Sequence, residues 1–258
     1  MTGPVITILD IETAPLEVYS WGLWNINVGL NQIITEWSLL SFAAKRLGEK
    51  AVQYCDNRSE PNPRSDIGLM TELWEVLDEA DIIVAQNGRK FDIKKINARF
   101  AMLGFSPPSP VRVIDTVLEA RRKFGFTSNK LEWLSAHLTC AKKSQHKKFP
   151  GFELWTECLA GNLAAWNEMK KYNIADVVAT EELYLKLRPW MDNHPNVAMY
   201  STRECESCPK CGSDDIQRRG SVFTNMGEYS RIRCNGCSGW SRARLNLHTK
   251  DKRKALLV

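Results

Sequence analysis

Val5-Ile6-Thr7-Ile8-Leu9-Asp10-Ile11-Glu12-Thr13 is the stretch on which the reading of this chain turns. Its β-branched, apolar composition predicts a buried strand. Residues i and i+2 of a strand share a face, so Asp10 and Glu12 project together while Leu9 and Ile11 point the other way. Two carboxylates held side by side repel each other unless one keeps a proton or a divalent cation sits between them. A solvated pair at a strand end is the plain alternative, and two acidic stretches downstream weigh against it.

Beyond this strand, residues 14–32 have little periodicity, include Trp21 and Trp24, and read as a long aromatic-rich loop. Residues 33–46 are apolar and residues 51–55 alternate, which with the opening run predicts an antiparallel meander of three strands. A helix from Ser65 or Asp66 to about residue 79 carries Leu69, Leu73, Val76 and Leu77 on one stripe. A buried strand at 81–87 follows, then a helix at 91–103 stopped by Gly104 and Pro107-Pro108. Residues 111–115 read as a fifth strand, 116–123 and 130–138 as helices, and 163–187 as a long helix with a break near Tyr172 left open. Strands first and strand–helix alternation after them predict an α/β fold, a mixed sheet with helices on its faces.

The second acidic stretch is Ala85-Gln86-Asn87-Gly88-Arg89-Lys90-Phe91-Asp92, in which a strand ends, a glycine turns the chain and Asp92 enters a helix. An aspartate in a first helical turn also has a bland use, complementing the helix dipole. The third is Tyr172-Asn173-Ile174-Ala175-Asp176, where Tyr172 and Asp176 stand four apart and present to one helix face. Asp176 precedes Val177-Val178, where burial of an unpartnered acid would be costly. Asp115, ending the fifth strand, reads as a cap on the next helix.

Asp10 and Glu12 on a first strand, Asp92 after Asn87, and Tyr172-x-x-x-Asp176 on a late helix together resemble the three exonuclease motifs of the DEDD superfamily. The likeness is to the tyrosine-bearing branch, as in proofreading domains of family A and B DNA polymerases. It spans about residues 5–188 and is similar to stand-alone predicted exonucleases of bacteria and phages. It implies a ribonuclease H-like fold with a five-stranded mixed sheet flanked by helices. It also implies two Mg²⁺ or Mn²⁺ ions, hard cations that prefer carboxylate oxygens. On this resemblance Asp10 bridges both ions, Glu12 and Asp176 complete one site, and Asp92 supports the other directly or through water. Tyr172 orients the attacking water, since a phenol with pKa near 10 is no base at pH 7. The implied products are 5′-mononucleotides released from a 3′ end. Asn87 is a candidate substrate contact. Phe91 is a candidate wedge for a terminal base, with a core role as its plainer use.

The 258 residues carry 35 Lys/Arg against 30 Asp/Glu, net +5. From residue 201 onward 12 Lys/Arg face 6 Asp/Glu, so the excess sits at the C-terminal end and points to a polyanionic partner. The irregular loop at 139–152 holds Lys142, Lys143, His146, Lys147 and Lys148. It lies between two acidic motifs, which favours phosphate contact, by Lys147 and Lys148 in particular, over simple solvation. No apolar run approaches the roughly 18 residues of a membrane span. Residues 1–4 lack a signal-peptide layout, and the expected location is the cytoplasm.

Five of the eight cysteines lie between Cys205 and Cys237. Two C-x-x-C knuckles 22 residues apart predict one structural Zn²⁺ in a zinc ribbon. Cys208, Cys211, Cys234 and Cys237 are the natural ligands, each pair having glycine in or after its turn. Cys205 is then the spare, and a Cys205/Cys208 pairing stays open. Cys55, Cys140 and Cys158 read as buried free thiols. Six arginines of the ribbon, with Tyr229 and Trp240, are candidates to grip a nucleic-acid backbone and stack bases.

The expected organisation is an exonuclease domain at 1–192, a linker at 193–202, the ribbon at 203–245 and a basic tail at 246–258. The expected activity is 3′→5′ hydrolysis of DNA, with single-stranded 3′ ends as partner and no membrane. Ribonuclease or structure-selective endonuclease activity on the same sheet is the alternative. A non-catalytic adaptor is disfavoured because no motif acid is missing.

Overall fold

The opening run forms the central strand β1 (Ile6–Thr13), and the rest of its sheet is laid on either side of it. In the computed structural model the described residues are 3–141 and 146–257, so Lys142 and Lys143 of the basic loop lie outside them. Two compact units divide the chain. One comprises Val5–Arg121 and Gly125–Leu183; the other comprises the residues up to Pro4, Arg122–Phe124 and the chain from Tyr184 onward.

In the first unit, a two-residue strand β2 (Glu17–Val18) pairs with β3 (Ile33–Thr35), and the stretch between them bears exposed Trp21 and Trp24. The apolar run at 33–46 is therefore two strands, not one: it breaks at Glu36, and β4 (Leu39–Arg46) starts afresh with its first N–H held by Asp66 Oδ2 at 2.8 Å. Next come β5 (Gln53–Asp56), α1 (Ile67–Glu79), β6 (Ile82–Ala85), α2 (Asp92–Leu103), β7 (Arg112–Asp115), α3 (Thr116–Lys123) and α4 (Leu131–Leu138). A short helix not foreseen from the sequence, α5 (Glu153–Leu159), precedes α6 (Leu163–Leu187), which runs unbroken through Tyr172.

The sheet order is β5-β4-β1-β6-β7, antiparallel on the β4 side and parallel on the β6 side. This is the expected mixed five-stranded sheet flanked by helices, with a ribonuclease H-like architecture. Leu9 and Ile11 are buried with Leu69, Leu73 and Leu77 of α1 and Ile96 and Phe100 of α2. Each such side chain removed from water contributes roughly 1.5–3 kcal/mol. α2 ends at Gly104, whose φ of 78° is a left-handed cap that side chains disfavour. On the opposite face a second core gathers Leu40, Leu154, Trp166, Met169 and Tyr172.

That opposite face of β4 is also polar. Buried Ser41 pairs across the ladder with Glu12, and its Oγ donates to Asn173 Oδ1 at 3.1 Å. Lys45 Nζ meets Glu181 Oε2 at 2.5 Å, and Glu181 Oε1 accepts from Gly48 N–H at 2.9 Å. An ion pair this buried requires such extra hydrogen bonds to offset desolvation. It sets the register of α6 against the sheet, because Asn173 and Glu181 fall about two turns apart on one helix face.

In the second unit, β8 (Ile216–Thr224), β9 (Gly227–Cys234) and β10 (Trp240–Asn246) form an antiparallel three-stranded sheet ordered β10-β9-β8. The stretch expected as a linker contains a 3₁₀ turn, Val197–Tyr200, with Val197 buried and its N–H bonded to Pro209 O at 2.9 Å. In the expected tail, Lys250–Lys254 forms an exposed helix, α7, capped by the Thr249 hydroxyl. Among the described residues no helix is long and apolar enough to cross a membrane.

Candidate active site and metal centre

Because β1, β6 and β7 run parallel, their carboxyl ends open on one edge of the sheet, where loops are free to build a site. Asp10, Glu12, Asn87, Phe91, Asp92, Tyr172 and Asp176 all line one cleft of about 640 Å³ there. Three stretches far apart in the chain thus meet.

Asp10 Oδ2 accepts from Asn173 Nδ2 at 2.5 Å, and the same amide reaches the Asp10 carbonyl at 3.2 Å. Asn173 is fully buried and is itself fixed by Ser41, so one amide holds the Asp10 carboxylate from behind. Glu12 Oε2 accepts from Trp155 Nε1 at 3.1 Å. Tyr172 packs edge-on against the His146 ring at 5.1 Å and the Trp155 ring at 6.1 Å. Neither Trp155, which belongs to the unforeseen α5, nor Asn173 is among the residues expected at the site. Asn173 alone carries a hint in the sequence: it lies inside the third acidic stretch, beside the tyrosine.

Asp92 opens α2 and accepts from Ile11 N–H at 3.2 Å, tying the helix start to the strand that carries Asp10 and Glu12. The turn before it depends on Gly88, where a Cβ would stand 2.4 Å from Ala85 Cβ, and on Asn87 at φ 66°, a conformation asparagine tolerates. Asp115 caps α3 through the N–H groups of Val117 and Leu118, as expected. It also takes those of Asn87 and Arg89, and so fixes the turn itself.

Burial pushes the Asp92 carboxyl up to about 7, only partly countered by its backbone hydrogen bonds, and the charge of Asp115 pushes the same way. The neutral form is the stable one in the fold, so its contribution to stability is full below about pH 4 and gone once pH rises past about 7. We expect Asp92→Asn, measured without added Mg²⁺ or Mn²⁺ at pH 8, to melt a few degrees above the parent, on the order of 1–2 kcal/mol. At pH 5 the gap should narrow; a variant less stable than the parent at pH 8 contradicts this account of the burial.

Two expectations come out differently. Phe91 is 38% exposed and faces the cleft, so its plainer core role is excluded. Lys147 and Lys148 are exposed but do not line the cleft; among the described residues the cations that do are Arg121 and Lys130, on α3 and just before α4. No local pattern distinguishes those two among surface cations.

Four carboxylates and no cysteine form a donor set suited to hard divalent cations, and a buried carboxyl kept neutral by desolvation is one that a cation would ionise. Among the described residues the only group of three or more acid, histidine or cysteine ligands within 4.8 Å of one another is Cys208, Cys211, Cys234 and Cys237. There Cys208 and Cys237 Sγ stand 3.7 Å apart and Cys211 and Cys234 Sγ 3.5 Å. A tetrahedral Zn²⁺ with Zn–S bonds of ~2.3 Å needs sulfurs ~3.8 Å apart. Lys210 N–H to Cys208 Sγ at 3.4 Å and Cys237 N–H to Cys234 Sγ at 3.5 Å close the two knuckles. Cys205 is exposed and outside the group. Of the other thiols Cys158 is buried, but Cys55 is half-buried and Cys140 exposed, against expectation.

A family model described as the RNase H superfamily matches residues 7–188. Comparison with curated proteins finds no match. Among solved structures, the family B DNA polymerase of the hyperthermophilic archaeon Pyrobaculum calidifontis is similar with a TM-score of 0.51 at 16% identity, over 73% of this chain and 25% of that one. The likeness is one of fold, and the chain spans about a quarter of the polymerase's length.

Proposed function

The chain belongs to the RNase H superfamily of nucleases, and on that premise we propose that it is a metal-dependent 3′→5′ exonuclease acting on single-stranded DNA ends. The observation that carries this reading is the meeting of Asp10, Glu12, Asp92, Tyr172 and Asp176 on one cleft. The four acids would hold two Mg²⁺ or Mn²⁺ ions, which supply a nucleophilic water at neutral pH and charge stabilisation for the scissile phosphate.

The protein's own groups do the remainder. Asn173 and Trp155 orient the Asp10 and Glu12 carboxylates. Tyr172 is buried except for its approach to the cleft, and its ring is fixed by His146 and Trp155. Its neutral hydroxyl is a hydrogen-bond positioner for the water rather than a base. Arg121 and Lys130 offset phosphate charge, and the exposed Phe91 ring offers a face for the terminal base. A structural Zn²⁺ on the four cysteines completes the metal complement.

The test compares 5′-labelled linear single strands of DNA and RNA with a circular single strand, in Mg²⁺, in Mn²⁺ and without either. Laddering from the 3′ end of linear DNA, with the circle intact, is the expected result; cleavage of the circle replaces this reading with an endonuclease. Tyr172→Phe should lower kcat by about 10–100-fold with KM little changed, because ligation survives and only water positioning is lost. A loss as deep as that of an acid would make Tyr172 more than a positioner.

A further inference from the structure

The outer face of the three-stranded sheet takes no part in the chemistry above. On β9 and β10, Trp240 lies opposite Arg233 and Arg242 opposite Arg231. Side chains alternate with period two, so Tyr229, Arg231 and Arg233 share a face with Trp240, Arg242 and Arg244. Burial agrees: along β10 Trp240, Arg242 and Arg244 are exposed while Ser241 and Ala243 are half-buried, and Ile232 and Cys234 of β9 are buried on the other face.

This face is built, not merely basic. The Arg242 guanidinium stands 4.0 Å from the centroid of the Tyr229 ring, and that of Arg231 5.3 Å from the Trp240 ring. Arg231 Nε is further pinned by a 2.9 Å hydrogen bond to Arg219 O. Three of the ribbon's five carboxylates pair elsewhere: Asp214 with Arg203, Glu206 with Arg218, and Glu228 with His248. Among the described residues none of the ion pairs involves the four arginines of this face. Like charges on neighbouring strand positions disfavour the free sheet, and solubility alone is better served by mixed signs. The arrangement makes sense against a polyanion.

We propose that this face binds single-stranded nucleic acid, the guanidinium groups meeting phosphates and the Tyr229 and Trp240 rings stacking on bases. A single strand is required because stacking on the Tyr229 and Trp240 rings needs unpaired bases, and duplex bases are already stacked and paired. None of the residues of this face is among those that line the cleft, and the proposal does not rest on the exonuclease reading.

The test is fluorescence anisotropy of labelled oligothymidylate, oligouridylate and a duplex with the full-length protein, over a range of salt concentrations, without added Mg²⁺ or Mn²⁺. The double variant Arg231→Ala/Arg242→Ala should bind oligothymidylate at least about tenfold more weakly and lower the salt slope by about 1.4, from two phosphate contacts at ~0.7 each. Tyr229→Ala/Trp240→Ala should lose about tenfold or more with the slope unchanged. Arg231→Lys/Arg242→Lys should restore the slope but not the full affinity, since an ammonium does not hold the ring as a planar guanidinium does. One zinc per chain in each variant shows that the ribbon is folded. Comparable binding of oligouridylate supports the shared single-strand chemistry, and weaker binding narrows it to DNA. Unchanged affinity in both alanine pairs, or duplex binding as tight as single-strand binding, overturns the proposal; the former outcome passes the face to an acidic protein partner. With no turnover in the measurement, its failure leaves the exonuclease reading intact, and an inactive enzyme leaves this one intact.

Discussion

Asp10→Ala or Asp176→Ala is expected to lower hydrolysis of a single-stranded 3′ end by about a thousandfold or more while the protein still retains the strand. Each thousandfold is about 4 kcal/mol of transition-state stabilisation, the scale of a lost metal ligand at a phosphoryl centre. Both acids line the cleft from regular elements, a central strand and an unbroken helix, which hold their carboxylates at fixed positions. Asp10→Ala also removes the carboxylate partner of the buried Asn173 amide, so melting temperature is followed alongside activity to separate lost chemistry from lost stability. The check is initial rate with Mg²⁺ and with Mn²⁺, alongside anisotropy without either ion. Rates within tenfold of the parent in both variants would remove Asp10 and Asp176 from the chemistry.

The second large effect concerns the cysteines. Cys208→Ser or Cys234→Ser should reduce bound zinc from one per chain to well below one and unfold the second sheet, whereas Cys205→Ser should retain zinc and fold. A strand triplet this small buries little: Ile232 is the one buried aliphatic side chain among the described residues of β8–β10, beside the Cys234 sulfur. Metal binding in such units contributes about 10–16 kcal/mol of apparent free energy, more than that core can supply. Zinc analysis of purified variants and hydrogen exchange across β8–β10 measure both effects. Full zinc in Cys234→Ser, or its loss in Cys205→Ser, would show that Cys205 belongs among the ligands.

Asp10 and Glu12 are legible as a strand pair on one face because alternation is a local property of the chain, and β1 bears this out with Leu9 and Ile11 buried behind them. The helical spacing of Tyr172 and Asp176, the turn at Asn87-Gly88 and the knuckle pairs are equally local. Each is encoded within about five residues, where periodicity and turn chemistry operate. Element boundaries are less legible: the apolar run at 33–46 hides a break, and α5 lies in a stretch without period.

Contacts between residues far apart in the chain are a different matter. Asn173 behind Asp10, Trp155 on Glu12, Ser41 beneath Asn173 and Asp115 across the Asn87 turn join positions 28 to 163 residues apart, and no local pattern marks them. Nor does composition separate Arg121 and Lys130, which line the cleft, from Lys147 and Lys148, which do not. Residue type and short-range spacing are enough to state the kinds of chemistry this protein carries, hard-cation carboxylates and a thiolate cluster. Which groups aim those carboxylates, which cations share their cleft and which arginines stack on rings follow from the folded chain alone, because they depend on strand order and register, set by packing over its whole length.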